Sequence, residues 1–404
     1  MDKLFEIQSI VIEQFEERPF YWRSQFDFLA QSRPITGVLG ARGVGKTTFL
    51  IKHAIDLGAK KRKALYVSAD NIFFLNHRLV DVVDYLYKQT DVRFLCIDEI
   101  HRYPNWRMEL KNIADTYLSF QIYFSGSSMI DLSQGKYDLS RRVLLYRLSG
   151  FSFREYLEYY HEIKLPILKL EEIISSHLEI AQGLSVKQVL KHFNDYLKIG
   201  YYPFFKGFTH DLEKFQLLEN AVQMTIYEAI GTFHSLKTSS LTTIEQLFKF
   251  VINSSPGEIN ASKLAKNLGK DFDTISSYLR YLEQAGLIRF IYSDTTGQSY
   301  LKNPIKMYPE NTNLIYSANI SLLQDQERGK VRETFVVNQI QNQEIPIFYS
   351  QKGDFKINDY IFEVGGKNKS TRQIRGEKNA FVLADDILVG SSSIIPLYLF
   401  GLLY

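Results

Sequence analysis

Residues 40–48 read Gly40-Ala41-Arg42-Gly43-Val44-Gly45-Lys46-Thr47-Thr48. Gly40 to Thr47 fills the pattern G-x-x-x-x-G-K-[ST], between a short apolar stretch, Ile35 to Leu39, and a helix-like run, Phe49 to Leu57. A strand, a glycine-rich turn and a helix in that order make a cradle for phosphate. The glycines let backbone N–H groups turn inward, and the helix N-terminus adds the positive end of its dipole. Gly40, Arg42, Gly43, Val44, Gly45, Lys46, Thr47 and Thr48 are therefore the candidate nucleotide-binding residues. Lys46 is expected to reach the β- and γ-phosphates and Thr47 to offer its hydroxyl to Mg2+, while Arg42 is expected to point away from the phosphates.

Working outward, Val92 to Ile100 reads Val-Arg-Phe-Leu-Cys-Ile-Asp-Glu-Ile, an apolar strand ending in two carboxylates about fifty residues after Lys46. This is a Walker B pattern. Asp98, at the end of a buried parallel strand, would hold Mg2+, and Glu99 would polarise the water that attacks the γ-phosphate. Nothing resembles the guanine-reading N-K-x-D motif, so the expected cofactors are ATP and Mg2+. From Ile35 to about Leu148 short apolar runs alternate with helical stretches: Ile35 to Leu39, Ala64 to Ser68, Phe94 to Ile97 and Gln121 to Phe124 read as strands. That rhythm predicts an α/β fold with a parallel sheet covered on both faces. Leu4 to Phe15 has helical spacing and adds a further helix.

Ser125-Gly126-Ser127-Ser128 follows the fourth strand, and Ser127 is the candidate for contact with the γ-phosphate or attacking water, with a plain turn as the competing reading. Leu139-Ser140-Arg141-Arg142 comes next, and Arg142 could reach a nucleotide bound in a neighbouring subunit, which would make the chain a homo-oligomer. An exposed basic turn is the alternative there.

The chain of 404 residues allows two or three domains. Its formal charge of +3, from 48 basic and 45 acidic side chains, argues neither for nor against nucleic acid. Cys96, the sole cysteine, rules out an intrachain disulfide and reads as a small buried hydrophobe, so a reducing cytoplasm is the expected location. Asp2, Lys3, Glu6 and Glu13 interrupt the first apolar positions, unlike a secretory leader. No apolar run reaches membrane-spanning length, and Ile394 to Tyr404 is expected to pack on the last domain.

Four blocks together, Gly40 to Thr48, Phe94 to Arg102, Tyr123 to Ser128 and Leu139 to Leu157, resemble the prokaryotic AAA-type ATPases that end in a domain of unknown function. Ser125 stands where that family has Thr, and Arg141 where Gly is usual, so Arg142 inherits the family arginine's place. Tyr196-Leu197-Lys198-Ile199-Gly200-Tyr201-Tyr202-Pro203 resembles the family's Y-L-x-x-G-G-[FY]-P, with Tyr201 replacing the second Gly.

The domains expected are an AAA-type P-loop ATPase domain at 1–154, a helical lid and connector at 155–240, a winged helix-turn-helix at 241–325 and a degenerate restriction-endonuclease-like domain, used for binding, at 326–404. Helices at Thr243 to Asn253, Ala261 to Leu268 and Phe272 to Ala285, a turn at Pro256-Gly257, and a strand from Gly286 with a turn at Asp294 to Gly297 suggest the winged helix. Its third helix would expose Thr274, Ser277, Tyr278 and Arg280, with Lys263, Lys266 and Lys270 nearby, for DNA or for a protein partner. In the last segment Glu333, Asp354 or Asp359, and Glu363 could supply carboxylates, but Gly365 stands where a nuclease lysine is expected, with Lys367 and Lys369 following. Three functions fit: an ATPase driving these modules on DNA or a protein, a slow nucleotide-dependent switch or scaffold, and an ATP-gated nuclease.

Overall fold

The computed structural model describes residues 1–29, 34–127, 139, 141–184, 186–254, 261–294, 304–318 and 325–404, which divide into two compact units, Met1–Ser149 and Gly150–Tyr404. The expected turns at Pro256-Gly257 and beyond Asp294 lie outside the described residues.

The first unit runs α1 (Asp2–Glu16), α2 (Gln25–Leu29), β1 (Ile35–Gly40), α3 (Lys46–Asp56), β2 (Ala64–Ser68), α4 (Leu79–Gln89), β3 (Phe94–Asp98), α5 (Trp106–Thr116), β4 (Gln121–Ser127) and β5 (Val143–Arg147). The five strands are all parallel, in the order β2-β3-β4-β1-β5. Parallel neighbours require crossovers, which α3, α4 and α5 supply. Strands covered on both faces read as continuous apolar runs, and every residue of β1 is buried. Leu65, Leu95, Ile122 and Phe124 fill the core, and Cys96 lies buried among the strands as expected. Helix α1 turns Leu4, Phe5, Gln8 and Ile12 inward. Gln8 shields the edge strand: its Oε1 accepts from the Tyr66 N–H at 2.6 Å and its Nε2 donates to the Ala59 carbonyl at 3.3 Å.

The second unit begins with α6 (Phe153–His161), α7 (Leu170–Gly183), α8 (Val189–Ile199), α9 (Asp211–Met224), α10 (Gly231–His234), α11 (Thr238–Asn253), α12 (Ala261–Leu268) and α13 (Phe272–Gln284). It continues with β6 (Ile288–Ser293), β7 (Lys306–Pro309), α14 (Thr312–Ala318), α15 (Asp325–Asn342), β8 (Ile347–Tyr349), β9 (Phe355–Ile357), β10 (Tyr360–Gly365), β11 (Ala380–Ala384) and β12 (Ile394–Pro396). The Ser152-Phe153-Arg154-Glu155 block is a capping box: Ser152 Oγ accepts from the Glu155 N–H, and Glu155 Oε2 from the Ser152 N–H, both at 3.1 Å. The Ser152 hydroxyl also donates to the Tyr404 carbonyl, which accepts Arg154 Nε at 3.1 Å as well. With Leu397–Leu402 wholly buried, the apolar end of the chain packs into this unit.

The expected division of 241–404 into two modules meets a shared sheet. Strand β6 pairs antiparallel with β7 and parallel with β8, giving one seven-stranded sheet, β12-β11-β10-β9-β8-β6-β7. One core runs from Phe193 of α8 through Phe335 of α15 to Phe362 of β10 and Phe400. One expectation for α13 is corrected. Tyr278 is buried with Ile275, Leu279 and Leu282 on a single helical stripe, leaving Arg280 exposed and Thr274 and Ser277 partly covered. Among the described residues no helix is long and apolar enough to cross a membrane.

Candidate functional site

At the end of β1 the chain turns through Gly43 at φ 87° and Gly45 at φ 104°, left-handed conformations that side chains disfavour, and α3 begins at Lys46. A Cβ on Gly45 would meet nothing within 4 Å, so the turn faces open space there. Gly40 is constrained from the other side: a Cβ there would lie 2.4 Å from the Leu148 carbonyl, because the Leu148 N–H donates to Leu39 O at 2.7 Å. The buried Lys46 Nζ lies 3.0 Å from both the Gly40 and Ala41 carbonyls. Burial holds its pKa below the ordinary lysine value, although Glu99 and Asp98 pull it upward. Val44 is buried, and Arg42, Thr47 and Thr48 are exposed.

Three hydroxyls converge on Asp98. Thr47 Oγ1 donates to Oδ2 at 2.7 Å, Tyr66 Oη donates to the same oxygen at 3.2 Å, and Ser125 Oγ donates to Oδ1. The Ser125 hydroxyl also accepts the Glu99 N–H at 2.9 Å, which fixes the backbone of a residue held at φ 54°. His101 Nε2 stands 3.4 Å from Glu99 Oε2, and burial lowers the imidazole pKa. Thus the two motifs, distant in sequence, share one hydrogen-bonded cluster.

A triphosphate fits the open turn and helix start, and Mg2+ fits oxygens of the kind Thr47 and Asp98 present side by side. Ser127 ends β4, its backbone opposite Gly40 in register; its side chain, like residues 128–138 and Ser140, lies outside the described residues. Arg142 pairs with Asp115 at the end of α5, Nε to Oδ1 at 2.6 Å and Nη2 to Oδ2 at 3.2 Å.

Three residues escaped the sequence reading. Ser125 lies two positions before the expected Ser127, and the register Ile97 opposite Phe124 brings the following residues, Asp98 and Ser125, side by side. Tyr66 depends likewise on β2 lying next to β3. Arg23, only 2% exposed, ties the loop down: Nη1 donates to Val44 O at 3.2 Å and Ser149 O at 2.7 Å, and Nη2 to Gln25 Oε1 at 3.2 Å. An arginine in an aromatic run, Phe20-Tyr21-Trp22-Arg23, was its one visible signal.

A second polar cluster lies in the second unit. Lys306 Nζ sits 3.2 Å from Glu333 Oε2 and 3.5 Å from Asp354 Oδ1. Tyr308 Oη donates to Glu333 Oε2 at 2.6 Å, and the Val364 N–H to Asp354 Oδ2 at 2.8 Å. Glu363, 1% exposed, pairs through Oε1 with Lys369, whose stem lies where a Cβ on Gly365 would be. Asp359 and Lys367 are exposed, so of the expected alternatives Asp354 and Lys369 are the residues drawn in. Burial raises the pKa of Glu363 and of Glu333, the latter helped by the neighbouring Asp354.

Residues 32–157 match the model of an AAA domain, and residues 190–321 match a domain of unknown function (DUF8612). The parallel sheet, its glycine-rich loop and the AAA match together support an α/β P-loop fold of AAA type. The uncharacterized protein MJ1637 of Methanocaldococcus jannaschii is 29% identical over 270 residues, 63% of this chain and 55% of the relative. The match thus spans about half of that relative's length. Among solved structures, AMPPCP-bound DnaA from Aquifex aeolicus is 19% identical, covering 69% of this chain and 88% of that one at a TM-score of 0.27. A STAND protein with a tetratricopeptide repeat sensor from Pyrococcus horikoshii is 13% identical, covering 80% and 46% at a TM-score of 0.30.

Proposed function

We propose that the chain binds ATP with Mg2+ through its first unit, hydrolyses it, and uses the nucleotide state to control what the second unit engages. The observation that carries this reading is the 2.7 Å bond from the Thr47 hydroxyl to the Asp98 carboxylate, which brings the loop and the acidic strand end to one point. In this mechanism the N–H groups of residues 43–48 and the start of α3 receive the phosphates, and Lys46 balances their charge. Thr47 and Asp98 would hold Mg2+, which when bound would neutralise charge on the triphosphate. Glu99 orients and deprotonates the attacking water, and Ser125 positions both acidic residues through its two hydrogen bonds. Ser127 is assigned contact with the γ-phosphate, and Arg142 action on a neighbouring subunit's nucleotide after release from Asp115.

DNA is one partner proposed for the second unit, read as a winged helix followed by a nuclease-like fold. Lys263, Lys266, Lys270 and Arg280 are exposed on α12, α13 and the turn between them. A protein partner is the alternative. Turnover measured with wild type and Glu99→Gln tests the core of the proposal: the variant should keep ATP and lose roughly 10²- to 10⁴-fold in rate. Unchanged turnover would instead make the chain a slow switch or remove Glu99 from the chemistry. Stimulation of wild-type turnover by duplex DNA, lost when the three lysines become glutamine, would support the DNA reading; indifference to DNA would point to protein.

A further inference from the structure

The second unit's carboxylates have the identities that hold divalent cations in hydrolases, but their surroundings do not fit one. Lys306 is 9% exposed, with its ammonium between Glu333 and Asp354 and the rings of Tyr349 and Phe355 at 5.5 and 5.7 Å from Nζ. Of the oxygens that would face a metal, Glu333 Oε2 already accepts from Lys306 and Tyr308, Asp354 Oδ2 accepts the Val364 N–H, and Glu363 Oε1 is paired with Lys369. Of the oxygens of these three carboxylates, Glu363 Oε2 is buried without a partner. Three carboxylates and two ammonium groups leave one formal negative charge, too little to offset the dehydration of a doubly charged ion. Among the described residues no group of three metal-ligating side chains is set for a metal.

We propose that Lys306 is the resident cation of this centre, standing where a divalent metal would stand, so that the second unit binds its partner without metal-dependent cleavage. Lys306 holds β7 to α15 and to the start of β9, and stands between the Glu333 and Asp354 carboxylates, which would otherwise repel. Lys369 does the same for Glu363 on β10 from the adjoining turn. This inference does not depend on nucleotide binding by the first unit.

Mn2+ titrated into the nucleotide-free full chain, followed by electron paramagnetic resonance of the free ion, gives the test. Wild type should show no site that disappears in Glu363→Gln. Lys306→Met should gain a site at least about tenfold tighter than any wild-type binding, lost again in Lys306→Met with Glu363→Gln, while Lys306→Arg should behave as wild type. Wild-type Mn2+ binding abolished by Glu363→Gln would overturn the proposal, and so would a folded Lys306→Met that gains nothing. If Lys306→Met does not fold, the wild-type and Glu363→Gln comparison decides alone.

Discussion

Asp98 draws its hydrogen bonds from three segments far apart in the chain, and one of its donors, Ser125, reaches Glu99 as well. Removing that hydroxyl should disturb the rate more than the affinity. Ser125→Ala is expected to lower kcat roughly tenfold to a hundredfold with KM for ATP nearly unchanged, and Ser125→Thr to recover most of it; steady-state kinetics separate the two effects. A rise in KM alone would show that Ser125 serves binding instead. His53 offers a stability test. It is buried on α3 between Phe49 and Tyr123, and burial lowers its pKa to about 4. The unfolded chain therefore takes up a proton more readily, so stability is full above roughly pH 6.5 and declines as pH falls toward about 4, by about 3 kcal/mol in all. Urea melts across this range should show the loss in wild type and a flatter profile in His53→Phe. At this scale the motifs that carry Lys46, Thr47, Asp98 and Glu99 are legible because each is local in sequence. Ser125 and Tyr66 were not, since their roles follow from which strands are neighbours.

The loop before α3 owes its shape to glycines inside it and to an arginine outside it. Gly45→Ala puts a side chain at φ 104°, a strain of about 1–3 kcal/mol that should appear both as lower stability and weaker nucleotide binding. Arg23→Met leaves the Val44 and Ser149 carbonyls without their charged donor and should cost about 2–4 kcal/mol, read from denaturant melts. A loss below half a kcal/mol would mean that the loop keeps its form unaided. The elements themselves were largely readable: the strands of the parallel sheet show as apolar runs, and the expected Ala261 to Leu268 helix has the bounds of α12. What escaped was long-range pairing. Among the described residues two pairs, Tyr292 with Phe348 and Ser293 with Tyr349, join β6 to β8, and no local pattern marks them.

For the whole molecule, the chain divides into two compact units after Ser149, where the strand and helix rhythm of the first unit ends. The second unit was harder to divide, since one sheet and one core span segments that read as separate modules. If Arg142 completes a neighbour's site, turnover per subunit should rise with protein concentration and lose this dependence in Arg142→Ala; a flat rate on dilution would return the arginine to its pair with Asp115. The central claim, that the first unit grips a triphosphate and its metal between the loop and Asp98, is tested most directly by calorimetric titration of the full chain with Mg2+ and a slowly hydrolysed ATP analogue. The account predicts one site per chain, retained in Glu99→Gln and lost in Lys46→Ala. Absence of binding in wild type, or equal binding by a folded Lys46→Ala, would contradict it.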